Sequence, residues 1–142
     1  MLELSKLVVD TKSTWMDYPG FDDFSIEIAA ISRKELNALR KRSTTQTYDR
    51  KARVMVETLD EKAFVLEFTD ATIKNWKGLT VKILDSLVLM DVGTHAMTEE
   101  YEYSKKHANE LVTFSTEFDT WLNEVVFDLD NFPSRTETES TG

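Results

Sequence analysis

The sequence predicts an α+β fold, with a small N-terminal antiparallel β-sheet followed by a helical, bundle-like C-terminal portion. Three observations carry that reading. Phe24, Ile26 and Ile28 alternate with Ser25 and Glu27, the period of two that puts one face of a strand toward a core. Ser32-Arg33-Lys34-Glu35 has the spacing of a capping box, in which the Ser hydroxyl and the Glu carboxylate satisfy N–H groups at a helix start. In the last third, Leu111, Phe114, Phe118, Trp121, Leu122, Val125 and Leu129 recur at three- and four-residue steps with acidic residues between them, the stripe of an amphipathic helix or of two in series.

Taken in order, Leu2 to Val9 is apolar and β-branched enough for a short strand. Trp15 to Tyr18 then runs into Pro19-Gly20, which suits a type II turn because Pro fixes φ and Gly accepts a positive φ. After the capping box a short helix through Leu36 and Leu39 is expected. It should end before Ser43-Thr44-Thr45-Gln46-Thr47, a run poor in helix formers that reads as loop. Val65, Phe68, Thr72 and Trp76 share one helical face, Asp60 and Glu61 stand at its start and Gly78 just past its end, so a helix is predicted over roughly 60–77. Thr98 with Glu99 and Glu100 is the expected start of the last helical region, and Ser115-Thr116 a cap at a break within it. Phe114, Phe118 and Trp121 read as core.

One domain is expected over residues 1–132, β-rich over 1–31 and mainly helical over 32–132. Pro133 closes the pattern and 133–142 reads as a disordered polar tail, with no apolar side chain to anchor it. The 142 residues, 41% of them hydrophobic with eight Phe, four Tyr and three Trp, supply apolar area enough to offset the chain entropy that keeps polar sequences unfolded.

No apolar run approaches the roughly 18 residues of a membrane span, and Met1 to Lys6 lacks the basic and apolar pattern of a secretory signal. No membrane partner is expected. With no cysteine, disulfides, thiolate nucleophiles and sulfur-ligated zinc are excluded. The only histidines, His95 and His107, stand twelve residues apart without carboxylates at ligand spacing. Asp22-Asp23 and Asp128-Leu129-Asp130 read as solvated charge in a chain with 26 acidic residues. Four glycines, at 20, 78, 93 and 142, cannot build a Gly-rich phosphate loop, and there is no G-x-S-x-G elbow. The chain reads as a non-enzymatic binding protein with no cofactor and no metal.

A net charge of -9 argues against nucleic acid as a partner. The charge is segregated. Arg33, Lys34, Arg40, Lys41, Arg42, Arg50, Lys51 and Arg53 face only Glu35 and Asp49 within residues 33–53, a local balance of +6 that leaves -15 for the rest of the chain. Like charges so close repel one another and are relieved by an acidic partner, which makes these eight residues the candidate partner-binding surface. The same opposition predicts self-association, with the basic 33–53 face of one copy meeting the acidic C-terminal helix face of the next.

The segment Tyr103-Ser104-Lys105-Lys106-His107-Ala108-Asn109-Glu110-Leu111, then Ser115-Thr116-Glu117-Phe118-Asp119-Thr120-Trp121-Leu122 and Asp130-Asn131-Phe132, resembles the C-terminal pattern of siphophage tail assembly chaperones. Trp15, Ser32 to Leu36 and Trp76-Lys77-Gly78-Leu79 match the order of that family's earlier elements, so the resemblance covers about residues 15 to 132. His107 with Ala108-Asn109 departs from it, since the family pattern has Asn directly before Ala. The resemblance implies a bacteriophage protein of the host cytoplasm that binds the tape measure protein, the long helical polypeptide that sets tail length. It also implies help for tail tube protein polymerising around that client, absence from the finished virion, and a longer product made by programmed frameshifting. The alternative of similar size and charge is a structural tail terminator or head-tail connector.

Overall fold

The computed structural model describes residues 2–132. The chain is α+β, and its elements run α1 (Leu4–Leu7), β1 (Thr11–Tyr18), β2 (Phe21–Ile31), α2 (Arg33–Arg42), β3 (Thr44–Asp49), β4 (Val54–Leu59), α3 (Glu61–Thr72), β5 (Ile73–Lys77), α4 (Val81–Leu87), α5 (Lys105–Phe114) and α6 (Thr116–Val126), closed by a 3-10 turn at Leu129–Asn131. Two antiparallel sheets form: β1-β2-β5, with β2 in the middle, and a separate pair β3-β4. Among the described residues, no helix is long and apolar enough to cross a membrane. Residues 133–142, read from sequence as a disordered tail, lie outside the described residues.

The period-two reading of Phe24 to Ile28 holds. Phe24, Ile26 and Ile28 are fully buried on the central strand, and the Pro19-Gly20 turn joins β1 to β2 with Gly20 at φ +89°, as a type II turn requires. The strand entering that turn is Thr11–Tyr18, not Leu2 to Val9. The latter stretch holds the one-turn helix α1, and Leu2, Leu4, Leu7, Val8 and Val9 are all exposed. Its β-branched residues face no strand, and strand propensity without a pairing partner decides little.

Ser32 caps α2 by accepting the Glu35 amide at 3.1 Å. Past it, the run expected as loop is strand β3, paired in continuous register with β4 from Thr44–Leu59 to Asp49–Val54. Thr is a good strand former, so the same composition that disfavours helix favours a ladder once a partner arrives.

Asp60 caps α3 through the Ala63 amide, but the helix ends at Thr72, and Ile73–Lys77 is strand β5 on the edge of β2. Pairing with β2 overrides the helical periodicity that continues to Trp76. Gly78 lies after a strand rather than a helix, at φ +78°, with the Asp23 carbonyl where a side chain would begin. Helix α5 starts at Ser104, which accepts the His107 amide at 3.0 Å, rather than at Thr98. Glu99 and Glu100 instead lie in extended chain held to α4 by Val81 N–H donating to the Glu99 carbonyl and by the Thr80–Glu100 bridge. Ser115 is the break between α5 and α6, and its hydroxyl caps α6 through Phe118 N–H. Residues 32–132 are the more helical part of the chain, yet β3, β4 and β5 lie within them.

One core joins the three-stranded sheet to the helices, built on Phe24, Ile26, Ile28, Ile73, Leu111, Phe118 and Leu122. Helices α3 and α6 lie against β2. Tyr18, Phe24, Phe118 and Trp121 cluster in stacked, tilted and edge-on pairs, with ring centroids 4.9 to 6.4 Å apart, the range in which aromatic pairs add to their burial. Phe118 is fully buried and Trp121 packs against the core, but Phe114 is 66% exposed. The break at Ser115 turns it away from the stripe.

Two predictions follow from this core. Gly78→Ala forces a left-handed backbone on an L side chain and drives Cβ into the Asp23 carbonyl, so it should cost at least about 2 kcal/mol in urea unfolding. Burial, then hydrogen bonding to Glu110, raises the Tyr101 phenol above its ordinary value; burial, then the Glu117 charge, does the same to Tyr18. The unfolded chain therefore loses these protons first, and the stability these two groups contribute should be level below pH 10 and fall as pH rises beyond it. A thermal melt series checks this, and Tyr18→Phe with Tyr101→Phe should flatten the alkaline fall.

Candidate binding surface

The eight cations of residues 33–53 are distributed over a helix and a hairpin. Arg33 and Lys34 occupy the first turn of α2, and Arg40, Lys41 and Arg42 its last turn, where cations complement the helix dipole. A ten-residue helix separates the two groups by roughly 10 to 15 Å. Arg42 is engaged inside the molecule, 3.2 Å from Glu67 and 3.8 Å from Glu35. Arg40 and Lys41 are exposed and border a groove of about 590 Å³ that continues along Thr44, Gln46 and Glu57.

Arg50, Lys51 and Arg53 sit at the far end of the β3-β4 hairpin, about 20 Å from its base for strands of six residues. The tip is built by local chemistry. Asp49 accepts the amides of Lys51 and Ala52 through one carboxylate oxygen, the Arg53 amide bonds the Asp49 carbonyl at 2.7 Å, and Arg53 takes a left-handed φ of 57°. The base is fixed where α2 and α3 meet. Ser43 is buried with its hydroxyl on the Leu39 carbonyl, and the Asp60 amide donates to the Ser43 carbonyl at 2.7 Å. The structure therefore brings together Arg40 and Lys41, and separately Arg50, Lys51 and Arg53, but does not merge all eight into one contiguous face.

Sequence reasoning missed the apolar half of this surface. No residue of β3 or β4 is buried, and Tyr48, Val54, Met55, Val56 and Leu59 are between 36% and 57% exposed. The alternating run Val54-Met55-Val56-Glu57-Thr58-Leu59, preceded by the turn-forming Asp49, was the signal available. The hairpin places Tyr48 opposite Met55 and Thr44 opposite Leu59 on one face, and Val54 and Val56 with Thr47 on the other.

Both histidines and Asp128 are in structural use. His107 stacks on Tyr101 at 4.1 Å and approaches the Glu102 carbonyl at 2.7 Å, while His95 pairs with Glu99. Asp128 caps the final 3-10 turn. Trp76 donates its indole N–H to the Tyr101 carbonyl at 2.8 Å and meets Tyr103 edge-on, so the Trp76 to Leu79 element is packing machinery. Among the described residues, no group of three or more His, Asp or Glu is placed to hold a metal ion. No protein-family model matches the chain, and no curated protein or solved structure does.

A hairpin anchored only at its base, with a non-glycine residue at a left-handed position, should open locally. Amides of β3 and β4 should exchange on the order of 100-fold faster than those of β2. Arg53→Gly should slow the hairpin amides by relieving about 0.5 to 1 kcal/mol of backbone strain, leaving β2 unchanged. Hydrogen exchange resolved by residue reads both.

Proposed function

We propose that this chain is a bacteriophage tail assembly chaperone that binds the tape measure protein in the host cytoplasm, assists tail tube protein polymerisation, and is absent from the mature virion. The reading rests on the sequence resemblance, and one structural observation supports it most. Tyr48, Met55 and Leu59 are displayed on an arm clear of the core, continuous with a groove edged by Arg40 and Lys41. Tyr48 with Met55 at the tip and Leu59 at the base, on either side of Gln46 and Glu57, make a mixed face bordered by cations that is suited to an amphipathic helix with an acidic flank. Exposed cations each add only about 0 to 1 kcal/mol, so the grip is weak and salt-sensitive, as a holding protein that must yield to tube subunits requires.

Capture of the tape measure protein of the same phage tests this. Wild type should retain it at low salt, and Arg40→Glu with Lys41→Glu should lower capture roughly fivefold to tenfold. Failure of wild type to capture the client sinks the chaperone reading, while unchanged capture by the variant moves the contact elsewhere. Mass spectrometry of purified virions separates the alternative, because a tail terminator or head-tail connector is retained and a chaperone is lost.

A further inference from the structure

We infer that the open edge of β4 is a self-pairing surface, at which two copies of this chain join β4 to β4 antiparallel about a two-fold axis through Val56. The contact uses the backbone edge of β4, whereas the proposed client surface is a side-chain face of the same hairpin, and the pairing does not depend on what the client is.

The ladder fixes which groups are free. Asp60 donates to the Ser43 carbonyl, and those two residues continue the β3-β4 register. Because bonded and non-bonded pairs alternate along an antiparallel ladder, the backbone groups of Val54, Val56 and Thr58 point to β3. Those of Met55 and Glu57 then point outward from a strand that has no second neighbour among the described residues. An unpaired row of this kind is a template for another strand. Val54 to Leu59 is β-branched and apolar, with Glu57 its one charge, and it lacks the Lys, Pro or bulge by which edges are usually blunted.

Charge selects both the partner and the register. A two-fold antiparallel pairing centres on one residue, and in this six-residue strand only the registers centred on Val56 and Glu57 keep five residues paired. Centring on Glu57 sets it directly against the partner's Glu57, a destabilising like-charge pair. Centring on Val56 sets valine against valine, Val54 against the partner's Thr58, and Met55 against the partner's Glu57. The tip then lies along the other copy's base, with Lys51 beside the partner's Glu61 and Arg53 close to it. Glu61 is exposed at the start of α3. The corresponding two-fold pairing of β3 about Gln46 instead sets Arg50 against the partner's Arg42 and Lys51 against the partner's Lys41. The same cations that favour β4 pairing oppose β3 pairing. A second copy therefore supplies what the β4 edge lacks: a strand of matching pattern flanked by acidic residues at the distance of the basic tip. An isologous contact of this kind closes at two copies.

The chain has no cysteine, so one introduced thiol reports geometry. In the full-length protein, Val56→Cys lies on the axis, where facing Cβ atoms of a non-bonded pair approach within disulfide reach; Gln46→Cys, also exposed and on the β3 edge, is the control. Under mild oxidation Val56→Cys should give a covalent dimer and Gln46→Cys should not. Sedimentation of wild type should show a mass rising with concentration from 16.4 kDa toward twice that value. Lys51→Glu or Glu61→Lys alone should shift that rise to higher concentration at low salt, and the two together should restore it. Lys51 and Glu61 are exposed, so circular dichroism should be unchanged. A wild type that stays monomeric, a dimer that does not cross-link through Val56, equal cross-linking through Gln46, or charge reversals that do not compensate would each overturn the proposal.

Discussion

The pairing of β5 with β2 is the constraint on which the rest of the chain depends. Helix α3 passes into β5 without a loop, Thr72 ending one and Ile73 beginning the other. Ile73 is fully buried opposite Ile28, and Trp76 pairs with Ile26. The strand is then stopped by Gly78, whose missing side chain admits the Asp23 carbonyl. Everything downstream is hung from this edge. Trp76 and Leu79 hold the Tyr101 segment through its carbonyl and amide, and that segment delivers the chain to Ser104, where α5 begins. Helix α6 returns to cover β2 with Phe118 and Leu122. A side chain at 78 thus perturbs the placement of three helices rather than one turn.

Local rules were legible wherever the deciding partner lay within a few residues. The caps at Ser32, Asp60 and Ser115 and the turn at Pro19-Gly20 are all satisfied by atoms within three residues or by φ itself. The period of two in β2 was legible because one face of that strand is fully buried. What failed required a distant partner. Residues 73 to 76 carry a helical pattern and become strand because β2, more than forty residues away, accepts them, and tertiary pairing commonly outweighs propensity. Leu2 to Val9 carries a strand pattern and finds no ladder. Phe114 continues a helical stripe in sequence, but the stripe is broken at Ser115, and a helix that restarts there does so at a new angle. The candidate surface was legible as charge and not as shape, because the eight cations are contiguous in sequence while a helix and a hairpin separate them in space.

The charge balance of +6 against -15 takes on a different meaning once those positions are known. Arg42 is balanced by Glu35 and Glu67, so part of the cluster stabilises the packing of α2 on α3. Of the cations that remain, Arg40 and Lys41 lie along the groove edge and Arg50, Lys51 and Arg53 at the hairpin tip, on either side of exposed Tyr48, Met55 and Leu59, while Arg33 and Lys34 stand at the other end of α2. Charges so placed set orientation and the rate of encounter more than affinity, and the apolar residues between them carry the burial on which affinity depends.

An isolated two-stranded hairpin is marginal in water, needing a third strand or an apolar face against something else to be stable in its own right. Here the β3-β4 ladder is supported at its ends: the buried Ser43 and the cap at Asp60 hold the base, and the Asp49 turn holds the tip. Its ladder therefore stands near the balance between ordered and open, and any partner that binds the ordered form shifts that balance by mass action. Part of the free energy of association is used to order the arm, which lowers net affinity below what the exposed area alone suggests. In the chaperone role we propose, that loss is an advantage. The core that carries the arm contributes no residue to the ladder.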